Sequence, residues 1–316
     1  LSEPPQFEIS DILMLTRNEK VLRCITPTTQ TGVEIGPLDK PIVTRQMGQI
    51  HYIDHDPTEV LRAKFQAPGH QVKVENIVDV DYVWGEKGLA ELLQNQAPVD
   101  YVIASHVVEH VPDLIGWLSE VRAILKPGGI LSLVIPDKRQ CFDYYRPPTR
   151  LPEVAEAYLH GSRKPSCRQI FDHVSSAVAY RGSIAWSGVV NEAQLAPLHN
   201  LEAAWQTAKT ALASGDYCDV HCWVFTPTSF FQLLGEMAAA DLLKFEVAQF
   251  YRTDGCEFFV SLRATDRAKP EDINRFVASL PREMARPFRR VFETVWQELR
   301  FLKQKLRAVK NLVSKQ

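Results

Sequence analysis

The chain of 316 residues lacks any uninterrupted apolar run approaching the roughly 20 residues of a membrane-spanning helix, so an integral helical membrane protein is not expected. No secretory signal pattern is visible, and the chain begins at Leu1 without a methionine, which leaves room for an upstream segment. Paired cysteine spacing is also missing. Cys24, Cys141, Cys167, Cys218, Cys222 and Cys256 are scattered, so reduced thiols in a cytoplasmic setting are the expectation. Cys218, His221 and Cys222 stand close together, but no second Cys or His pair completes four ligands at zinc-finger spacing, and no metal is expected. The formal net charge is only −2, and the one basic cluster is confined to the C-terminal segment, which argues against a nucleic-acid partner.

Against these absences stands VDYVIASHVVEHVPDLIGWLSEVRAILKPGGILSLVIPD, residues 99 to 137. Residues 99 to 104 form a short apolar run of the kind a buried central strand requires, and Leu114, Trp117, Leu118, Val121, Ile124 and Leu125 repeat at helical spacing after it. Lys126, Pro127, Gly128 and Gly129 stop that helix, and residues 130 to 135 are a second apolar strand. Right-handed crossover geometry sets the two strands parallel, so Ser105, His106, Pro136 and Asp137 converge on one edge of the sheet. Glu109 and His110 read as helical residues that cap or buttress.

This pattern resembles the class I S-adenosylmethionine-dependent methyltransferases over roughly residues 30 to 137. In that family an acidic residue and a His follow the fourth strand, and a Lys-Pro-Gly-Gly turn precedes the fifth. The resemblance implies a doubly wound, mostly parallel seven-stranded α/β sheet and S-adenosylmethionine as cofactor. It matches Glu34 and Gly36 to the family's acid and glycine loop, although Pro37 and Leu38 stand where further glycines are usual. Asp54, about twenty residues on at the end of QIHYID, stands where doubly wound folds place a carboxylate on a ribose, with His55 and Asp56 as register competitors. A third strand is expected near residues 73 to 80, followed by the acid that meets the adenine amine, Asp79 or Asp81, with Asp81 favoured because Tyr82, Val83 and Trp84 continue the loop. The cofactor set is then Glu34, Gly36, Pro37, Asp54, Asp81, Ser105 and His106. A dehydrogenase would need the glycine triplet that lets a pyrophosphate sit on helix amides, and the chain has none there.

Past the fifth strand about ninety residues intervene before TPTSFFQLLGEMAAADLL, which opens on a Thr226-Pro227 cap and reads as the last core helix. Residues 244 to 251 and 256 to 263 fit a closing hairpin. The expected organisation is a cofactor-binding half over residues 1–137, an acceptor-binding insertion over 138–225, the end of the domain over 226–265 and a helical tail over 266–316. The insertion carries Tyr144, Tyr145, Arg146, Tyr158, Phe171, Tyr180, Trp186, Trp205, Tyr217 and Trp223; most are expected to form its own small core, the rest to stack on flat or sugar-like ligands. IPDKRQCFDYYRPPT, FDHV and DVHCWVFTP resemble methyltransferases found with bacterial surface-glycan assembly enzymes, which implies a glycan or small-molecule hydroxyl acceptor. The alternative is a catalytically silent scaffold of the same fold. Candidate bases are His173 and His221, with His106 behind them and Asp137 to orient one ring.

From Phe288 the apolar positions Phe288, Phe292, Val295, Leu299, Leu302, Leu306, Val309 and Val313 alternate in steps of four and three, a heptad seam. From Arg286 onward there are nine Lys or Arg against two Glu, so the tail carries +7 and the rest of the chain −9. A homo-oligomer through this helix is the favoured expectation, with peripheral contact at an anionic inner-membrane surface or docking on the acidic body as the other readings.

Overall fold

The computed structural model describes residues 15–67, 72–85 and 87–280. The chain enters through α1 (Arg17–Val21), whose first turn is closed by a reciprocal cap between Thr16 and Glu19. There follow β1 (Thr31–Ile35), β2 (Gln49–Asp54), α2 (Thr58–Phe65), β3 (Tyr82–Val83), α3 (Leu89–Leu92), β4 (Val99–Ser105), α4 (Leu114–Ile124) and β5 (Leu125–Pro136). Beyond β5 come α5 (Leu151–Leu159), α6 (Cys167–Ser176), the short pair β6 (Val178–Tyr180) and β7 (Leu195–Pro197), α7 (Leu201–Ser214), α8 (Pro227–Ala239), the hairpin β8 (Phe245–Asp254) and β9 (Glu257–Ala264), and α9 (Pro270–Ser279).

The main sheet has seven strands in the order β3-β2-β1-β4-β5-β9-β8. Strands β1 to β5 pair in parallel, and β9 runs antiparallel to both β5 and β8. Chain order reverses between β1 and β4. That reversal opens a crevice at the carboxyl ends of the two central strands, where a doubly wound sheet binds its ligand.

Alternation along the strands divides two cores. Val33, Ile35, Val102, Ala104, Leu131, Leu133 and Ile135 pack with α4 and α8 on one face, while Tyr101, Ile103, Ile130 and Val134 pack with Val21, Ile42 and Val43 on the other. A strand buried on both faces needs apolar residues at successive positions, which is why residues 99 to 104 read as a run. Gly32 lies beside the Tyr101 ring; a Cβ there would fall 2.0 Å from Cε2, so the close approach of β1 and β4 side chains depends on that glycine. Helix α4 is capped by Asp113, which accepts the Gly116 amide at 2.8 Å, and it buries Leu114, Ile115, Trp117, Leu118, Val121 and Ile124.

Three sequence expectations are corrected. Residues 73 to 80 do not form the third strand: a 3-10 turn occupies Val74–Asn76, and the strand is only Tyr82–Val83, in register with Ile53 and Asp54. Two residues at a sheet edge carry no periodicity for sequence reading to find. Leu125 is not the end of α4 but the start of β5, and Lys126 to Gly129 form a bulge between the Val99–Leu125 and Tyr101–Ile130 pairs, with Gly128 at φ +76°. Glu109 and His110 are not helical; they sit in a turn between β4 and α4. The closing hairpin and the Thr226-capped helix are where the sequence places them. The heptad segment, residues 286 to 316, lies outside the described residues.

Candidate active site

Each wall of the crevice is built by a strand end. Strand β1 runs into a loop in which Gly36 adopts φ +67° and stands so close to Val107 that a Cβ would come within 3.1 Å of Cγ2. Pro37 opens a turn closed by the Lys40 amide donating to its carbonyl at 3.0 Å. Glu34 lies beneath this loop, 2% exposed, and its two oxygens accept the Ile42 amide at 2.8 and 3.1 Å and the Val43 amide at 3.1 Å. Its part is therefore to fold the loop back onto the sheet. Burial outweighs those two amide bonds and pushes the carboxyl up to about 7.

Asp54 ends β2 and is buried. Its Oδ1 accepts the His55 amide at 2.8 Å and lies 2.6 Å from His55 Nδ1, while Oδ2 has no hydrogen-bond partner among the described residues. Asp81 is placed differently from the sequence expectation. It precedes β3 rather than following it, receives the Tyr52 amide at 2.8 Å and pairs with Arg45 at 2.9 Å. These contacts make it a clamp between β2 and the loop carrying Arg45, set back from the carboxyl edge where the adenine-binding acid is expected.

Strand β4 delivers Ser105 and His106 to the edge. Arg17 donates to Ser105 Oγ at 2.7 Å and pairs with Glu257 at 2.7 Å. His106, at φ +54°, donates its amide to the Val134 carbonyl, and its Nε2 lies 2.7 Å from Glu257. Burial opposes a charge on this ring, but Glu109 and Glu257 prevail and raise it to about 9. A ring protonated at neutral pH is no base, which removes His106 from the proton-accepting candidates.

Asp137 does not orient a histidine. It is fully buried with its carboxylate taken by Arg139 at 2.5 to 3.1 Å and by the Thr253 hydroxyl at 2.6 Å. The acid that does so is Asp143, which sequence reading did not single out. His221 Nδ1 donates to Asp143 Oδ2 at 2.5 Å, and Arg146 holds the other oxygen at 2.8 Å. Burial works against ionising Asp143, yet His221 and Arg146 hold its carboxyl far below the ordinary range. His173 sits beside the pair with Nδ1 accepting the His221 amide at 3.1 Å, and burial depresses the ring to about 3. A neutral ring that accepts at Nδ1 carries its hydrogen on Nε2, so His173 has no lone pair left for an acceptor's proton.

Next to His221 lie two residues read from the sequence as structural. The rings of His110 and His221 stand edge to face at 4.6 Å between centroids, and His110 Nδ1 donates to Asp219 at 2.8 Å. Glu109 is completely buried between them and His106. Burial would raise its carboxyl, but the surrounding imidazoles His106, His110 and His221 lower it. Nδ1 of His110 and of His221 is held by a carboxylate, so Nε2 is the ring nitrogen those bonds leave over. An acid-His pair directly after the fourth strand was a usable signal for this cluster; the link to His221, more than a hundred residues on, was not visible in one sequence.

A model of the methyltransferase domain matches residues 20–237. The chain belongs to the methyltransferase domain family. Ubiquinone biosynthesis O-methyltransferases of Rhodopseudomonas palustris (strain BisB18) and Bradyrhizobium sp. (strain ORS 278) are 31% identical to it over 117 and 118 residues, 36% of this chain. The match spans only 42% of the length of those relatives. A solved 1,6-didemethyltoxoflavin-N1-methyltransferase of Burkholderia thailandensis, with bound S-adenosylhomocysteine, aligns with 81% of this chain and 80% of its own at 13% identity and a TM-score of 0.38. The cofactor of this methyltransferase is S-adenosylmethionine. Residues at the crevice suit it: Gly36 turns the chain at the end of β1 in a left-handed conformation without a side chain, and Asp54 keeps one oxygen for a diol.

Among the described residues no helix is long and apolar enough to cross a membrane. Of the aromatic residues between β5 and α8, Tyr144 and Trp186 pack with Val178 in a small core, with Tyr145 and Tyr180 against it, and Trp223 is buried with its indole N–H on the Val111 carbonyl. Trp205, Tyr217 and Tyr158 remain exposed.

Proposed function

We propose that this methyltransferase transfers the methyl group of S-adenosylmethionine to a hydroxyl oxygen of a small-molecule acceptor bound under residues 138–225. One observation carries the reading. The carboxylate-backed His221, with Glu109 and His110 beside it, sits at the edge where β4 ends, and that cluster is suited to relieve a hydroxyl of its proton. When bound, the cofactor supplies a methyl group on a positively charged sulfur. The acceptor oxygen must be held about 3 to 3.5 Å from that carbon and in line with the bond that breaks, which is a task of placement. A new C–O bond forms as the C–S bond breaks, and the hydroxyl proton leaves through the His221 cluster. Asp54 and the Glu34-braced loop hold the cofactor half of the crevice, and the His106–Glu257–Arg17 network fixes the edge between the two halves.

Oxygen as the methylated atom is also supported by the partial likeness to O-methyltransferases. A sugar or glycan hydroxyl, the finer expectation, has thinner support, because most of the aromatic residues available for stacking are spent in internal packing. Incubation of the full chain with methyl-labelled S-adenosylmethionine and panels of phenolic and sugar acceptors tests both. Label should enter a hydroxyl, and His221→Ala should lower turnover by roughly 10²–10⁴ fold. Wild-type turnover in that variant would contradict the assignment.

A further inference from the structure

The Glu109, His110 and His221 cluster has features that proton transfer alone does not call for. Glu109 is wholly buried, and neither of its carboxylate oxygens has a hydrogen-bond partner; His106 Nδ1 approaches one of them to 3.4 Å only as an ion contact. The charged His106 ring compensates this anion from one side only, and both oxygens still accept no hydrogen bond, which leaves room for a second cation. One donor atom from each of Glu109, His110 and His221 lies within 4.8 Å of the other two. Donors around a single ion at bonds of about 2.0–2.2 Å stand roughly 3 to 4 Å apart, so a small inward movement of side chains completes the set. Both imidazoles are already held from behind, His110 by Asp219 and His221 by Asp143, each through Nδ1. A carboxylate behind each ring is the arrangement that fixes the tautomer and turns the other nitrogen toward a metal.

We propose that Glu109, His110 and His221 bind one divalent first-row transition cation at the end of β4. Two imidazoles with one carboxylate suit Zn²⁺ or Mn²⁺, whereas Mg²⁺ and Ca²⁺ prefer oxygen ligands. Three protein ligands, with His110 partly open to the surface, leave coordination positions for a further oxygen. Resting on the hydroxyl-acceptor reading, the ion takes the acceptor oxygen at one of those positions. It lowers the oxygen's proton affinity, so that the proton departs to solvent before the oxygen attacks the methyl carbon. His221 then serves as a ligand in place of its role as base, and Asp143 and Asp219 are positioning residues. The Cys218 and Cys222 thiols, which the sequence sets beside His221, do not join the set; Cys222 Sγ points at the His110 and Val220 carbonyls.

The test is elemental analysis of the tag-free full chain, followed by calorimetric titration of chelator-treated protein with Zn²⁺ and Mn²⁺ separately. One ion per chain is expected, with affinity reduced at least tenfold in Glu109→Gln. Asp219→Asn, which changes a more exposed residue whose side chain among the described residues is hydrogen-bonded to the His110 ring, should weaken binding about 10–100 fold. Far-UV circular dichroism in the absence of metal should match wild type in both. Failure of the wild-type chain to bind either ion at about 100 µM, or unchanged affinity in both variants, would overturn the proposal. Undiminished methyl transfer to a hydroxyl by the chelated chain would overturn the metal and leave the hydroxyl reading standing. Stoichiometric, variant-sensitive binding without hydroxyl methylation would support the site and overturn that reading.

Discussion

Glu34 gives the account a pH-dependent handle that can be read without any acceptor. Its carboxyl sits 2% exposed under the loop at the end of β1 and is raised from 4.5 to about 7 by burial. Between those values the unfolded chain has released the proton and the folded chain retains it. The folded state binds more protons there, so stability falls as pH rises through the window. At about 1.36 kcal/mol per pH unit, a displacement from 4.5 to about 7 corresponds to roughly 3 kcal/mol lost by pH 8 relative to pH 4.5. Glu34→Gln removes the titration while keeping an oxygen for the Ile42 and Val43 amides; its amide hydrogens impose a constant offset that does not vary with pH. Urea unfolding of both proteins at several pH values isolates the contribution, because every other titrating group cancels in the difference. The wild type should lose about 3 kcal/mol relative to Glu34→Gln across the window. Parallel curves would refute the reasoning and mean that the two amide bonds hold Glu34 ionised throughout.

Asp54→Ala should weaken S-adenosylmethionine binding by about 1.5–3 kcal/mol, the worth of a charge-assisted hydrogen bond, in a chain that stays folded; unchanged affinity by calorimetry would show that another residue holds the ribose. Gly32→Ala should destabilise the fold by about 1–3 kcal/mol through overpacking against Tyr101, visible as a lower urea midpoint with cofactor contacts untouched; a native midpoint would mean that the ring moves aside freely.

Residues 99 to 137 were legible because both faces of β4 and β5 are buried and α4 presents one apolar stripe, so period and length agree with position in the sheet. Strand β3 was not, because its hydrogen bonds to β2, rather than any pattern of its own, define its two residues. The positions of the residues expected at the cofactor were partly legible: Gly36 follows β1 and Asp54 ends β2, but the displacement of β3 left Asp81 clamped to Arg45 instead of at the edge. On the acceptor side, His221 was visible as a residue type but its partner was not. Asp143 and His221 are separated by 78 positions and meet only because the segment after β5 folds back past the end of β4, a long-range contact that local pattern does not encode. Asp137 was chosen for its place at the end of β5, and the competing demand of Arg139 and Thr253 decided its role instead.

The central claim, that the carboxyl edge between β1 and β4 is a working S-adenosylmethionine site rather than the relic of one in a silent scaffold, is tested most directly by titrating the full chain calorimetrically with S-adenosylmethionine and with S-adenosylhomocysteine. Saturable binding of both at one site per chain, weakened by Asp54→Ala, is predicted. Absence of heat from either at concentrations up to about 1 mM, with the protein shown to be folded, would contradict it.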